Sequence, residues 1–536
     1  MLFKSQSYNF RKLRGKLPFF IASFLSACGS RNGQLEVEPV GNDSADLQNI
    51  NRSSEVSAQA KQAKNETLFL VTPADNYWVK SLQIDDLEII DQLFVFEPKI
   101  FLYAFPQTEP NYFDKIADSK GWQPVTDDVE DAVVTLLSLI DDIVNVDFQY
   151  TENIAQPNVI SFMSNQQHNT DAYAYFPDPV FSIGSDIFID DDLLKPLNFS
   201  HSKTNYDYEA IVHELGHALG LKHPFATLGE NSYMLPNFEN TTKLTAMSYS
   251  ENQQYYDGNF RPFDYLALVE YYGIEPTYRA SNDVYSFSQD GGVYIIDADG
   301  IDEINCTNTQ LDAFIDLREN SHSYLGSKHQ YISGPYQMTI SKHSQIENVF
   351  TGPGDDYVIG NSLNNVINTN AGNDIVFSGE GRDILQLGAG HNKANIYEDV
   401  LENDFILFSS DYAGQFTEIY NFSVTGRCDV LVIDCDISGP LRMSQVFSSV
   451  DQINFKNFDI LRVEELSENW VVSTRVNDLE KDKILIVQSE QDSIFDVDIY
   501  LHQSNDEARE APFLIASLQT LEPSLENWSV ENFLVI

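Results

Sequence analysis

Residues 351–395 repeat with a period of nine, and this repeat restricts the fold more than any other feature of the sequence. Each row opens with a glycine-rich half, which favours a turn because glycine adopts left-handed backbone angles at little cost. Four rows are clear and 387–395 is a degenerate fifth; the clear rows are 351–359, 360–368, 369–377 and 378–386. We expect a parallel β-roll in which the apolar eighth residues stack inward, namely Val358, Ile367, Val376 and Leu385.

The rows resemble the G-G-x-G-x-D-x-U-x repeat of RTX proteins. In that repeat the glycine half exposes backbone carbonyls and the aspartate adds charge, so that calcium finds all-oxygen coordination between neighbouring turns. The resemblance implies calcium-binding residues, with the aspartates as the best ligands: Gly352, Gly354, Asp356, Gly372, Asp374, Gly379, Gly381 and Asp383. Leu363, Asn365 and Asn392 depart from the repeat, which predicts fewer or weaker calcium sites. The alternative is a set of Gly/Asp-rich loops that bind no metal.

A second feature, residues 212–223, reads V-H-E-L-G-H-A-L-G-L-K-H. His213 and His217 are four residues apart, so on a helix both project from one face and can bind one metal ion. Glu214 is within reach of a water at the metal and is our candidate general base. Gly220 favours a helix end, after which the chain can return and supply His223 as a third ligand. Three imidazoles with an open position describe a catalytic zinc site. The alternative is an amphipathic helix that happens to carry three histidines.

Residues 244–249, Leu-Thr-Ala-Met-Ser-Tyr, resemble the Met-turn of metzincin zinc peptidases, a methionine loop beneath the metal site. The form Met-Ser-Tyr is similar to the serralysin branch, whose tyrosine is a further zinc ligand that can swing away and stabilise the tetrahedral intermediate. The resemblance gives Tyr249 that catalytic role, and gives Met247 and Gly220 structural ones. Taken alone, Met247 would be interpreted as a core residue and Tyr249 as a surface aromatic.

The resemblance to serralysin-type metzincins covers roughly residues 100–395. It implies a calcium-dependent zinc endopeptidase, in which zinc and Glu214 activate a water for attack on the scissile carbonyl and Tyr249 helps to stabilise the oxyanion. It also implies an α+β metzincin-like catalytic domain over 68–275, a serralysin-like domain with the β-roll over 276–395, and a β-rich region over 396–536. The competing hypothesis is a calcium-binding surface or adhesion protein with an inactive peptidase domain.

Apolar periodicity supports this division. It predicts strands and helices in the first domain, namely strands over 67–71, 100–105, 146–150 and 158–162 and helices over 129–144 and 263–273. The runs 172–177 and 186–190 match the family's edge strand, which pairs with an extended substrate, and an internal hairpin is the alternative. In the last region, 430–433, 484–487 and 495–501 are strand-like.

Residues 1–28 resemble a bacterial lipoprotein signal peptide, with a basic start and a short apolar core at 17–24. The run Leu-Ser-Ala-Cys-Gly at 25–29 is similar to a lipobox and implies a lipid anchor at Cys28. An ordinary cleaved signal peptide is the alternative. Residues 29–67 show no hydrophobic period and are expected to form a flexible linker. No other segment is apolar for long enough to cross a membrane.

The chain carries 81 acidic residues against 32 basic ones, a formal net charge of −49. Such a surface repels nucleic acid, so we expect protein or peptide substrates, and a membrane only through Cys28. We expect a monomer at the cell envelope, on the outer membrane or cell surface, or secreted. Residues 530–536 faintly resemble the tail of type I secretion substrates, and a last β-strand is the preferred alternative. Besides Cys28 there are Cys306, Cys428 and Cys435; the last two could form a disulfide, or all three could be free.

Overall fold

The protein is described from a computed structural model. It covers residues 76–84, 88–94, 99–113, 120–156, 158–167, 170–181, 183–194, 206–249, 258–396, 402–408, 415–423, 429–433, 443–447, 460–463, 483–488, 497–502, 513–520 and 532–535. Several expectations concern residues outside these ranges: the signal peptide with its lipid anchor at Cys28, the linker over 29–67, the strand over 67–71, and the pair Cys428 and Cys435. Cys306 is buried with a free thiol.

The chain divides into two compact units between Tyr272 and Gly273, close to the boundary that we expected near residue 275. The described part of the first unit is mixed α and β. Its helices are α1 Tyr77–Lys80, α2 Glu88–Leu93, α3 Asp127–Asp141, α4 Tyr206–Ala218 and α5 Pro262–Tyr272. Its strands are β1 Ile100–Ala104, β2 Gln123–Pro124, β3 Asp147–Tyr150, β4 Val159–Asn165, β5 Ala172–Ala174 and β6 Ile187–Asp190. The predicted strand–helix–strand order is confirmed by β1, α3, β3 and β4.

The sheet of the first unit has the order β3-β1-β4-β6-β5, and β2 pairs with β4. Neighbours from β3 to β6 run parallel, whereas β5 runs antiparallel to β6 and lies at the end of the sheet. Residues 172–190 therefore form a hairpin, β5 and β6, whose first strand lies at the edge of the sheet, and the pairing of that edge with a substrate stays a prediction. Helix α4 packs against β5 and β6, so the histidine motif lies next to that edge.

The described part of the second unit consists of short strands. In chain order they are β7 Val284–Tyr285, β8 Val293–Ile295, β9 Glu303–Asn305, β10 Ala313–Asp316, β11 His322–Leu325, β12 Gln337–Ile340, β13 Asn348–Phe350, β14 Tyr357–Ile359, β15 Val366–Asn368, β16 Ile375–Phe377, β17 Ile384–Gln386, β18 Gly390–Asn395, β19 Phe405–Phe408, β20 Gln415–Phe422, β21 Val430–Ile433, β22 Met443–Phe447, β23 Ile460–Val463, β24 Lys483–Gln488, β25 Val497–His502, β26 Phe513–Thr520 and β27 Phe533–Val535.

These strands form two sheets, and successive rows of the repeat place their strands in one sheet and then in the other. The 13-stranded sheet has the order β22-β23-β24-β25-β26-β20-β18-β16-β14-β10-β11-β12-β8, and the 8-stranded sheet β27-β21-β19-β17-β15-β13-β9-β7. Successive rows contribute β14, β15, β16 and β17 to the two sheets in turn, and each strand pairs in parallel with the strand two rows away. The eighth residues of the four rows are 0% exposed and share one core. The expected α+β unit followed by a parallel β-roll is confirmed.

Both sheets continue beyond the recognised repeats. β19, β21 and β27 extend the smaller sheet in parallel, and β20 and β26 extend the larger one. The end of the chain thus supplies a β-strand, Phe533–Val535, as preferred from the sequence. Within the part of the chain that the structure describes, no helix is both long and apolar enough to cross a membrane.

The stacked core of the roll yields a direct test. Ile367 and Ile384 lie on neighbouring strands of the same sheet, but Ile367 is fully buried and Ile384 is 38% exposed. Ile367→Ala should destabilise the second unit by about 2–5 kcal/mol, because it removes buried methyl groups and leaves a cavity. Ile384→Ala, the matched control, should change stability by less than about 1 kcal/mol. Urea unfolding of the full chain in calcium would measure both, and equal losses would contradict the inward stacking.

Candidate metal centres

Helix α4 and the turn after it deliver the three histidines of the motif to one place. His213 and His217 lie on one face of the helix, and Gly220, at a φ of 95°, ends it in the left-handed region as expected. The Leu221 N–H then donates to the Gly216 carbonyl at 2.8 Å, which turns the chain back toward the helix. His223 follows, and the three rings are 6%, 2% and 6% exposed.

The ring nitrogens converge on one point. The Nε2 atom of His223 lies 3.0 Å from that of His213 and 3.1 Å from that of His217. The Nδ1 atoms of His213 and His217 face the carbonyl oxygens of Ala246 and Leu221 at 2.8 and 2.7 Å. Carbonyls only accept, so each Nδ1 carries the proton and each Nε2 keeps a lone pair.

This donor set fits a zinc ion. Three nitrogens bound to one tetrahedral zinc at about 2.0–2.1 Å would lie about 3.3 Å apart, close to the spacing found. Among the described residues, one ligand atom from each of these three histidines lies within 4.8 Å of the other two, close enough to share a metal ion. Burial lowers the pKa of His213 to about 4 and that of His217 to about 3, and it also lowers the pKa of His223. All three rings are therefore neutral at pH 7, as ligation requires.

The Met-turn lies beneath this site. Met247 is 0% exposed, and a side chain at Gly216 of α4 would collide with the Met247 sulfur. The turn is held by Asp264 of α5, which accepts the Ala246 N–H at 2.7 Å and the Thr245 hydroxyl at 2.6 Å. Since the Ala246 carbonyl receives the His213 ring proton, Asp264 helps to orient the first histidine.

Aromatic rings surround the histidines. The Tyr249 hydroxyl lies 3.3 Å from His213 Nε2, and its ring stacks on His213 at 5.0 Å between centroids. Phe225 stacks on His223 at 4.9 Å, and Phe176, just after β5, meets His217 edge-on at 5.4 Å. Glu214 is 3% exposed and follows His213 on α4. The residues expected at the zinc site thus lie in one region of the first unit.

Several residues around this site were not recognised from the sequence. They are Gly216, Lys222, Phe225, Asp264 and the tyrosine pair Tyr271 and Tyr272. The Tyr272 hydroxyl donates to Leu219 O at 2.9 Å and that of Tyr271 donates to Gly220 O at 3.2 Å, so α5 holds the end of α4. Only Gly216 had a local signal, as a glycine inside a predicted helix. Apart from Phe225, which stacks on His223 two residues before it, the others act through contacts between distant parts of the chain.

In the second unit the repeat aspartates form ladders between turns. The Asp356 N–H donates to Asp374 Oδ1 at 2.9 Å, 18 residues on, and all three candidate aspartates are at most 2% exposed. The second oxygen of Asp374 is buried and accepts no hydrogen bond from the described residues. Burial raises the pKa of Asp356 to about 6 and that of Asp374 to about 7. A buried carboxylate in this state is suited to a cation.

The glycines allow the turns to stack closely. Gly372, Gly379 and Gly381 have φ values of 142°, 96° and 104°. A side chain at Gly372 would collide with the carbonyl oxygen of Gly354, one full coil away. Gly352 and Gly354 likewise face backbone carbonyls of the preceding coil. Backbone oxygens and repeat aspartates are therefore close enough to share calcium ions between coils.

Two rows have asparagine, Asn365 or Asn392, at the position of the aspartate, and their hydrogen bonds explain why they should bind calcium less well. The Asn392 amide donates to the carbonyls of Leu387 and Gly388, both at 3.3 Å. The Asn365 amide donates to the Glu347 carbonyl at 3.0 Å. In each row an N–H group engages backbone oxygen that a cation could otherwise bind, and a negative charge is missing.

A pair of buried carboxylates outside the repeat rows was also missed. Asp297 and Asp302 are both 0% exposed, and Asp297 Oδ1 and Asp302 Oδ2 accept no hydrogen bond from the described residues. Burial raises the pKa of Asp297 to about 7, and Asp302 adds to the rise. The signal was present, since Gly300-x-Asp302-x-Ile304 repeats the second half of a nine-residue row at β9. These carboxylates could hold a further calcium ion.

The ladder also continues after the repeats. The Asp383 N–H donates to Asp404 Oδ1 at 2.9 Å, and the Asp404 N–H to Asp429 Oδ1 at 3.2 Å. The separations along the chain grow from 18 to 21 and then to 25 residues. Because inserted residues break the period, a search for nine-residue rows does not reach these aspartates.

Comparison with known proteins agrees with both centres. The matrixin peptidase family matches residues 121–256, which include the three histidines and the Met-turn. The RTX calcium-binding nonapeptide repeat matches residues 349–392, in four copies. The first match covers the candidate zinc site and the second covers the recognised rows of the roll.

Individual relatives bear related names. The chain is 29% identical over 188 residues to a serralysin of Proteus mirabilis, which covers 30% of this chain and 37% of the relative. It is 29% identical over 234 residues to the metallopeptidase AprA of Pseudomonas marginalis, covering 38% and 48%. It is 31% identical over 200 residues to the metalloprotease AprA of Pseudomonas entomophila, covering 32% and 40%.

The chain thus spans less than half the length of these three relatives. The matched families nevertheless occur in the order of the two units, with matrixin residues in the first and RTX repeats in the second. These matches, together with the convergence of the three histidines, show a matrixin-type peptidase domain followed by RTX calcium-binding repeats in a chain that is similar to serralysins.

Proposed function

We propose that the protein is a zinc-dependent endopeptidase that hydrolyses peptide bonds in extracellular proteins and whose β-roll is stabilised by calcium. The convergence of three neutral imidazoles, with Nε2 atoms 3.0 and 3.1 Å apart, is the observation that carries this proposal. A silent peptidase domain, the alternative, would be favoured by a missing ring or carboxylate. The chain carries Glu214 as well as His213, His217 and His223, and the three histidines converge, so we prefer the enzyme.

The chemistry divides among the chain's own residues. Zinc held by the three histidines would supply a Lewis acid that polarises the scissile carbonyl and lowers the pKa of water. Glu214 takes the proton of the attacking water and passes it to the nitrogen of the leaving amine. The Tyr249 hydroxyl, 3.3 Å from His213 Nε2, donates a hydrogen bond to the oxyanion as the tetrahedral intermediate forms.

Substrate binding is assigned to the edge strand β5. β5 is the last strand in the order of the sheet, and helix α4, which carries His213 and His217, packs against it. An extended peptide can therefore add to this edge through backbone hydrogen bonds, which gives loose sequence preference. Phe176, Phe225 and Tyr249 would contact side chains near the cleaved bond.

The cellular setting follows from the same reasoning. A calcium-stabilised roll and a formal net charge of −49 suit an extracellular medium that is rich in calcium. We propose a monomer that is either secreted or attached to the cell envelope through a lipid at Cys28. Labelling with radioactive palmitate, compared between the native chain and Cys28→Ser, distinguishes the two.

Glu214→Gln tests the general base. It removes the proton acceptor but preserves size, so casein hydrolysis should fall by about 10²–10⁴-fold while the chain still binds one zinc ion. Glu230→Gln, at an exposed carboxylate on the loop after His223, is the matched control and should leave hydrolysis unchanged. Full activity in Glu214→Gln would contradict the assignment. Absence of hydrolysis by the zinc-loaded native chain would favour the surface-protein alternative.

Tyr249→Phe tests the oxyanion donor. The ring is retained and only the hydroxyl is lost, so kcat should fall by about 10–10³-fold with little change in KM. Steady-state kinetics on a fluorogenic peptide would measure both constants. An unchanged kcat would show that the hydroxyl takes no part in the reaction.

Asp374→Asn tests the calcium ladder. Each occupied site should stabilise the roll by about 2.7 kcal/mol at a hundredfold excess of calcium over its Kd, so losing one site should reduce the calcium-dependent rise in Tm. Asp290→Asn, at an exposed aspartate in the same unit, is the control. Thermal unfolding with calcium and with a calcium chelator would show the difference, and identical calcium dependence in both variants would contradict a site at Asp374.

A further inference from the structure

Lys222 is a buried cation next to the third histidine. The side chain is 2% exposed, and Nζ donates to the carbonyls of Ser81 and Ala226 at 2.8 Å and of Tyr233 at 2.9 Å. A fourth carbonyl, that of His223, lies at 3.4 Å. Buried lysines usually pair with carboxylates, but here the described ligands are backbone oxygens. The three short bonds use the three protons of the ammonium and join two segments, one at Ser81 and the other the loop after His223 that contains Ala226 and Tyr233.

One of these segments lies far away in the chain. Residues 76–84, which we call the strap, include α1 and precede the region that matches the matrixin family. The strap is packed into the first unit, with Trp78 3% and Leu82 0% exposed. The Lys222 N–H donates to Leu82 O at 2.7 Å, and Gln83 forms a β-bridge with Leu221. The Asn231 amide donates to Lys80 O at 2.9 Å and to Gln83 O at 2.8 Å.

The strap therefore contacts the backbone that supports two metal-binding rings. The Leu221 carbonyl, which accepts the His217 ring proton, belongs to the residue bridged by Gln83. His223 differs from the other two histidines, because its Nδ1 meets no hydrogen-bond partner among the described residues. Its ring is placed by its backbone and by stacking on Phe225. That backbone is flanked by contacts of Lys222, whose N–H donates to Leu82 O and whose ammonium faces the carbonyls of His223 and Ala226.

We propose that Lys222 is a positioning residue whose ammonium clamps the strap to the loop after His223 and so holds His217 and His223 in the geometry that binds zinc. This inference deepens the proposed function, on which its relevance rests. The strap is then part of the zinc site, although it lies outside the family match. Removal of the strap is then expected to weaken zinc binding.

Zinc affinity is the direct readout. Zinc is removed with phenanthroline while calcium stays saturating, and the Kd is measured by competition with a chromophoric chelator. Lys222→Met, which keeps the length of the aliphatic part of the side chain but lacks the ammonium and its donors, should weaken zinc binding by about 10–100-fold. Cobalt substitution should show an altered visible spectrum, because the geometry of the nitrogen ligands changes. Lys243→Met, at an exposed lysine of the same unit, is the matched control and should bind as the native chain does.

Chemical rescue separates positioning from general stability. Lys222→Ala deletes the equivalent of n-propylammonium, so adding that ion should restore zinc affinity several-fold. Tetramethylammonium, which has no N–H group, should not restore it. Equal zinc affinity and cobalt spectra in Lys222→Met and Lys243→Met would overturn the proposal, as would equal rescue by both ions.

A second variant covers the case in which Lys222→Met does not fold. Asn231→Ala removes the amide that holds the strap at Lys80 and Gln83 and touches no histidine. A loss of zinc affinity of about 10-fold supports the strap's role, and native affinity overturns it. These measurements do not use peptidase activity. If the native chain cleaved no peptide but lost zinc in Lys222→Met, the proposed function would fail and the positioning role would stand.

Discussion

Three imidazole lone pairs that face one another at about 3 Å in a buried site are unfavourable unless a cation lies between them. The surrounding structure therefore has to hold the three rings together against this repulsion. Helix α4 supplies two rings, the turn at Gly220 returns the third, and the Met-turn packs beneath. Asp264 and the strap hold the carbonyls and backbone that orient the rings.

The second unit shows the same principle with the opposite charge. Its coils bring buried carboxylates together in ladders, and burial raises the pKa of Asp356, Asp374 and Asp297 because the charged form lacks compensation. A hard cation with oxygen ligands removes this penalty. Where asparagine replaces aspartate, the side-chain amide donates to backbone carbonyls that could otherwise bind a cation. The roll therefore combines rows suited to calcium with rows closed by their own hydrogen bonds. In both units, buried groups that repel one another, imidazole nitrogens in the first and carboxylates in the second, lie where a cation can bind between them.

The sequence was sufficient for features that lie within one turn or one repeat. Spacings of four and six residues placed the histidines, and the nine-residue period placed the inward Val358 and its equivalents. The period failed where insertions stretched it, so Asp404 and Asp429 were missed although they continue the same ladder. Asp297 and Asp302 were missed for a different reason, since only half of the repeat pattern remains there.

By itself, then, the sequence determined the metal-binding groups and the local geometry that presents them, because helix and coil periodicities fix which side chains share a face. The tertiary structure alone decided what holds those groups in place. Lys222 meets Ser81 across 141 residues, and Asp264 meets Ala246 across 18, through backbone oxygens and N–H groups that every residue possesses. A contact to the backbone leaves no mark on its partner's side chain, and the sequence therefore contains no local pattern from which it could be predicted.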